Sequence, residues 1–205
     1  MIRAVLWDFG GVILSSPFEA FNRYEATRGL PHDFIRTVNA TDPDDNAWAR
    51  LERTEIDAET FDREFARESA ALGHTVSGAD VLALLSGEVR SEMVAALDAV
   101  IRAGLRTACL TNNVVGGDQR PDVDAVMTRF DAIVESSKVG VRKPEPRFYE
   151  IACEQLDVAP ASCVFLDDLG VNLKPAAAMG MQTIKVVDPA TAISELEDVL
   201  DFVLR

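Results

Sequence analysis

The sequence predicts an α/β fold, a parallel sheet with helices on its faces, interrupted after its first strand by an inserted helical block. Three observations carry that prediction. Ala4 to Trp7 reads as a short buried strand that ends on Asp8 and turns at once through Gly10 and Gly11. From Glu88 onward, short apolar runs alternate with helical periodicity, the pattern of strands joined by helical crossovers. Between them, Ser15 to about Ser86 carries helical signals and no strand candidate. A block of about 70 residues is too long for a simple strand-helix-strand crossover, which needs about 30 residues in all.

Within that block, Phe18, Phe21 and Tyr24 recur at spacings of three, and Gly29-Leu30-Pro31 stops their helix. Trp48 and Leu51 follow, then Phe61 and Phe65 in a run that opens near Asp57 and Thr60 and closes at Gly73. Phe18, Phe21, Trp48, Phe61 and Phe65 are expected to form the block's own core. The expected division is therefore a core of residues 1–14 and 87–205 and a helical cap of residues 15–86.

In the second half, a helix from Met93 to Ala103 ends at Gly104, and Thr107 to Leu110 is a strand leading into Thr111-Asn112-Asn113. A loop through Gly116-Gly117-Asp118 leads to a helix near Asp124 to Arg129 and a strand at Ala132 to Glu135. Lys143-Pro144-Glu145-Pro146 opens a helix running to about Leu156, since prolines suit a first turn and not an interior. Cys163 to Leu166 is a strand that delivers Asp167 and Asp168. A helix from Leu173 to Met179, a strand at Thr183 to Val187 and a terminal helix from about Ala192 to Leu204 complete the pattern.

Composition narrows the function. Thirty-four acidic against 20 basic side chains give a formal charge of −14, which argues against non-specific affinity for nucleic acid or an anionic membrane surface. No run approaches the roughly 18 apolar residues of a membrane span, and the first residues lack a signal-peptide pattern, so a cytoplasmic location is expected. Cys109, Cys153 and Cys163 have no metal-site spacing and lie in apolar runs, as reduced core thiols do.

In a parallel sheet the carboxyl ends of the strands share one edge, and ligands bind beyond it. Asp8, Thr111 with Asn112, Lys143, and Asp167 with Asp168 all fall at or just after strand ends on that edge. Each alone has a plain structural explanation, as Asp8 does as a turn residue. Together they have the chemistry of Mg²⁺-assisted phosphoryl transfer. Mg²⁺ takes hard oxygen ligands and keeps several waters, so one or two carboxylates plus a substrate phosphate suffice to hold it, and Asp8 and Asp168 are the candidates. A carboxylate can also attack phosphorus to form an aspartyl-phosphate that water then hydrolyses. Two anions must meet in that step. Lys143 and the metal are placed to neutralise the charge, the Thr111 hydroxyl to donate to the equatorial oxygens, and Asp167 to hold Lys143.

WDFGGV, LTNN, the lysine of VRKPEPRFYE, and VFLDDLGVNLKPAAAMGM resemble, in order and spacing, the four motifs of the haloacid dehalogenase-like hydrolase superfamily. Within it, the last two stretches with ESSKVG are similar to the phosphatase domains of bifunctional epoxide hydrolases, and DFGGVI to bacterial sugar-1-phosphate phosphatases. The resemblance implies a Rossmann-like parallel sheet core with a helical cap inserted after the first motif. It implies Asp8 as nucleophile and metal ligand, Asp168 as the second side-chain ligand to Mg²⁺, and the Gly10 backbone carbonyl as another. Thr111, with Asn112 beside it, would bind the substrate phosphate, and Lys143 would bridge phosphate and nucleophile. Asp167 would support the site and Asn172 would orient the fourth motif. The implied partner is a small phosphorylated metabolite.

One position departs from the superfamily's phosphatases. They carry a second aspartate two residues after the nucleophile, which protonates the leaving alkoxide and later activates water; here that residue is Gly10. Losing a general acid/base costs on the order of 10²-fold to 10⁴-fold in rate. Three readings stay open. The first is a phosphatase for a substrate with a good leaving group, such as a sugar-1-phosphate or acyl phosphate. The second is a haloacid dehalogenase, whose halide leaves without a proton but whose chemistry has no use for the metal site that Asp167-Asp168 points to. The third is a catalytically weak module that keeps a phosphate and Mg²⁺ site. His32 and His74 in the cap are read as surface or structural groups, and Arg142 and Arg147 flanking Lys143 as solvent-exposed surface.

Overall fold

The computed structural model describes residues 1–115 and 120–204. Its sheet has five parallel strands, β1 (Ala4–Trp7), β2 (Arg106–Thr111), β3 (Ala132–Glu135), β4 (Cys163–Asp167) and β5 (Gln182–Lys185), in the order β3-β2-β1-β4-β5. The first strand of the chain is thus the central one. The chain fills one side of it with β2 and β3, then the other with β4 and β5, which makes the carboxyl end of β1 a topological switch point, the place where open α/β sheets bind ligands. Trp7 is level with Cys109 and Leu166, so one residue further on Asp8 emerges beside Asp167.

All four residues of β1 are buried, as expected of a strand covered on both faces. Eleven helices accompany the sheet among the described residues: α1 (Phe18–Arg28), α2 (Phe34–Ala40), α3 (Ala47–Glu52), α4 (Ala58–Ala71), α5 (Gly78–Leu82), α6 (Ser91–Arg102), α7 (Pro121–Met127), α8 (Ser136–Val139), α9 (Pro146–Leu156), α10 (Gly170–Ala178) and α11 (Pro189–Leu200). Side chains alternate across the strands. Val5, Trp7, Cys109, Val164 and Leu166 pack on α6, α7 and α11, while Leu6, Ala108, Leu110 and Phe165 pack on α9 and α10. Each such residue, fully buried, contributes about 1.5–3 kcal/mol if it is as large as Val, Leu or Phe.

Helices α1 to α5 enclose a separate apolar cluster that includes Phe21, Phe34, Ile35, Phe61 and Phe65, with Phe18 and Trp48 packed against it. The Phe61 ring lies 5.3 Å from Phe65 and 5.7 Å from Trp48. Asp57 starts α4 by accepting from the Thr60 N–H, and Gly29, at φ +67°, ends α1. The two chain segments that join these helices to the sheet run together. Leu14 pairs antiparallel with Val89; the Ser15 N–H donates to Glu88 O (2.8 Å) and the Arg90 N–H to Ile13 O (2.9 Å). Gly87 permits this approach, since a β-carbon there would lie 2.7 Å from the Ser15 carbonyl oxygen.

All five strands read from the sequence are present, β1 and β3 at the expected bounds and the other three with ends shifted by one or two residues. Two differences have local causes. The helix opened by Lys143-Pro144-Glu145-Pro146 begins only at Pro146, because a residue before a proline avoids helical backbone, which keeps both Lys143 and Glu145 out of the helix. Helix α8, four residues long, is too short to show periodicity. The loop through Gly116-Gly117-Asp118 lies outside the described residues. Among the described residues, no helix is long and apolar enough to cross a membrane.

Candidate active site

Asp8 follows the last residue of β1, and the chain then makes one wide helical turn, Phe9–Ile13, closed by the Leu14 N–H on Phe9 O (2.8 Å). Gly11 is at φ +79°, and a β-carbon there would overlap the Asp168 carboxylate. Glycine is needed at this position twice, for its backbone and for the space it leaves. The turn and the end of β4 thereby close on one another, with Asp8 and Asp168 on the two sides.

Lys143 stands in the loop between α8 and α9 and is 1% exposed. Its Nζ lies 2.7 Å from Asp8 Oδ1 and 2.8 Å from Asp167 Oδ2. Burial works against the ammonium, but Asp167 and then Asp8 outweigh it, so its pKa is raised and it stays charged. Asp167, the last residue of β4, is fully buried and fully engaged. Besides Lys143 it accepts from the Leu169 N–H (2.8 Å) and the Asn172 amide (3.0 Å), and the Tyr149 hydroxyl donates to Asn172 O (2.7 Å).

Asp8 Oδ1 also accepts from the Phe9 N–H (2.6 Å). Burial pushes the Asp8 carboxyl well above the usual carboxylate range; Lys143 opposes this, and the charges of Asp167 and Asp168 add to it. Burial, then the charge of Asp167, pushes Asp168 up to about 6. One oxygen from each of Asp8, Asp167 and Asp168 lies within 4.8 Å of the others, so three carboxylates face a single ammonium. Such a surplus of hard, negative oxygen suits a divalent cation. Because Asp167 is engaged by Lys143, Leu169 and Asn172, the carboxylates left to hold a cation are Asp8 and Asp168.

Thr111, at the end of β2, is buried, and among the described residues its hydroxyl makes no hydrogen bond. Asn112 behaves otherwise. Its Oδ1 accepts from the Lys143 N–H (2.9 Å), and its Nδ2 donates to Lys143 O (3.0 Å) and to Glu52 Oε2 (3.2 Å). Its side chain therefore brackets the main chain of Lys143, where the sequence placed it on substrate. Gly10 is exposed at φ −70° and ψ 129°, and a β-carbon there would meet nothing within 4 Å.

His32 is exposed beside Asp33, and exposed His74 packs edge-on to Phe34; Arg147 pairs at the surface with Glu150 and Glu154. The surface reading of Arg142 is corrected. Its side chain is only 14% exposed, its Nε donates to Glu52 Oε2 (2.6 Å) and its Nη1 to Pro43 O (3.0 Å). Two residues at the site escape the sequence reading. Arg90 Nη1 donates to Gly11 O (2.7 Å) and its charge acts on Asp168. Glu52 is buried at the end of α3, and the one signal for it is a carboxylate beside the apolar Leu51 in a helix with a buried face.

The raised Asp168 carboxyl has a definite sign in metal-free protein. The folded state holds that proton up to about pH 6, the unfolded state only to the ordinary 3.8, so ionised Asp168 destabilises the fold above this window and not below it. Asp168→Asn removes the penalty. In chelator the variant is expected to melt above the wild type at about pH 8, the gap closing as pH falls toward about 4. Thermal unfolding across pH measures it; a gap independent of pH would assign the effect to packing.

A parallel sheet whose central strand carries a lysine-bridged aspartate to its carboxyl edge, beside a run of helices, is a framework that suits a hydrolase. The chain matches the haloacid dehalogenase-like hydrolases over residues 2–180 and belongs to that family. It is similar to acyl-CoA dehydrogenase family member 10 of Mus musculus, with 36% identity over 208 residues that cover 99% of this chain and 20% of that protein. It is also similar to bifunctional epoxide hydrolase 2 of Mus musculus, with 33% identity over 214 residues covering 97% of this chain and 39% of that protein. The chain thus spans a fifth to two fifths of these relatives. Among solved structures it resembles a family enzyme of Bacteroides thetaiotaomicron in complex with magnesium and inorganic phosphate, with a TM-score of 0.60 and 18% identity over 90% of this chain and 94% of that one.

Proposed function

We propose that this chain is a Mg²⁺-dependent phosphomonoester hydrolase that works through an aspartyl-phosphate on Asp8. The observation that carries the reading is the buried Lys143 ammonium, seated between Asp8 and Asp167 with Asp168 closing the cluster. The neighbour that holds magnesium and phosphate supports it.

Asp8 Oδ1 is tied to Lys143 and the Phe9 N–H, which leaves Oδ2 to attack phosphorus in line. As that bond forms, the bond from phosphorus to the leaving oxygen breaks, and the oxygen takes its electron pair. Lys143 counters the growing charge, Asp167 keeps Lys143 in place, and the Thr111 hydroxyl donates to a non-bridging oxygen. Asp8, Asp168 and the Gly10 carbonyl are the ligands proposed for Mg²⁺, which when bound neutralises phosphoryl charge. Water then attacks the phosphoryl group and frees Asp8. Gly10 offers no proton, so the substrates favoured are those whose leaving group departs as an anion, a sugar-1-phosphate or an acyl phosphate among small metabolites.

The test compares an activated aryl phosphate, a sugar-1-phosphate and a simple alkyl phosphate, with Mg²⁺ and with chelator, alongside chloride release from 2-chloropropionate. Mg²⁺-dependent phosphate release that ranks with leaving-group quality is expected. Metal-independent chloride release would replace this reading with a dehalogenase.

A further inference from the structure

One buried charge near the active site belongs to the cap. Glu52, the last residue of α3, is 6% exposed and receives three donors: Trp48 Nε1 on Oε1 (2.8 Å), and Arg142 Nε (2.6 Å) and Asn112 Nδ2 (3.2 Å) on Oε2. Trp48 is a cap residue. The other two belong to the core, and both bear on Lys143.

Arg142 precedes Lys143 in the chain and ties itself to the cap a second time through Pro43 O. Asn112 holds the Lys143 main chain by both its N–H and its carbonyl. The Lys143 N–H needs an acceptor, so Asn112 must present Oδ1 to it; Nδ2 is then turned to Lys143 O and to Glu52. A buried carboxylate is costly unless its partners are all in place. Glu52 therefore favours the arrangement in which cap, Asn112 and Arg142 are engaged together.

We infer that Glu52 is a positioning residue for Lys143. Through Asn112 and Arg142 it sets the Lys143 backbone so that the ammonium spans Asp8 and Asp167, and it makes that alignment depend on the cap being docked. The inference rests on the phosphoryl-transfer reading only for its activity readout.

The test acylates lysines in the full chain and follows each by mass spectrometry, at a temperature where every variant is folded by circular dichroism. The four lysines are Lys138, Lys143, Lys174 and Lys185, so three serve as internal controls. Glu52→Ala and Asn112→Ala are each expected to raise Lys143 labelling about tenfold and leave the other three unchanged, within the range seen for coupled neighbours. In turnover, each is expected to lower kcat on the order of 10²-fold with little change in KM, the usual effect of small misplacement. The double variant is expected to be no worse than either single one, because both act through the same lysine. Glu52→Gln keeps the shape but offers one acceptor oxygen to three donors; it is expected to show an intermediate gain in labelling and stands in if Glu52→Ala does not fold. Unchanged Lys143 labelling in Glu52→Gln, or losses in Glu52→Ala and Asn112→Ala that multiply, would overturn the inference. Wild-type protein that releases no phosphate would count against the phosphatase reading alone, since the labelling still decides the role of Glu52.

Discussion

Asp8→Asn is expected to reduce phosphate release by on the order of 10⁴-fold or more, the scale on which removal of a covalent nucleophile acts. The amide keeps the size of the carboxylate and one oxygen that can still accept from Lys143 and the Phe9 N–H, so the fold is expected to survive. Loss of one of three clustered carboxylates also relieves repulsion, while Lys143 retains Asp167 as a counter-ion. Steady-state turnover with thermal unfolding checks both halves. Acid quenching during turnover adds a direct readout: labelled phosphate should stay on the wild-type chain and not on the variant. Turnover that persists in Asp8→Asn would remove Asp8 from the nucleophile role.

The second large effect is a gain. Gly10→Asp is expected to raise turnover of simple alkyl phosphates on the order of 10²-fold, toward the 10⁴-fold limit for a well-placed general acid, and to change activated aryl phosphates little. Gly10 has the negative φ that any residue adopts, is exposed, and has no atom within 4 Å of a built β-carbon, so the side chain enters without strain. The neighbouring Gly11 would not accept the same change, being at positive φ against Asp168. Rates plotted against leaving-group acidity give the decisive slope, steep in the wild type and flattened in the variant. An equal slope in both would mean that a missing proton donor is not what limits the reaction.

Much of this was legible in the sequence, for reasons that particular residues make plain. Asp8 and Asp167 follow apolar runs that read as buried strands, and a parallel sheet must bring such ends to one edge. The helical stretch between Leu14 and Val89 declared itself by the absence of strands over a long interval. Directions of side chains were less legible. Asn112 sits where the motif puts it, yet its amide serves the Lys143 main chain 31 residues away, a contact that no local pattern encodes. Glu52 and Arg142 are 90 positions apart, and in sequence a buried ion pair looks the same as a surface one. Only packing of α3 against the core decides which it is. Arg90, reaching back 79 residues to Gly11 O, is hidden for the same reason.

The antiparallel pairing of Leu14 with Val89 bears on how such a protein can change over time. Since Ile13 O and the Arg90 N–H are already 2.9 Å apart, the sheet meets the intervening helices as a closed junction, however long the segment between them is. Loop-closure entropy grows only with the logarithm of length. Selection can therefore lengthen or shorten the loops among the intervening helices while strand order and register stay as they are, so long as Glu52 keeps its reach to Asn112 and Arg142.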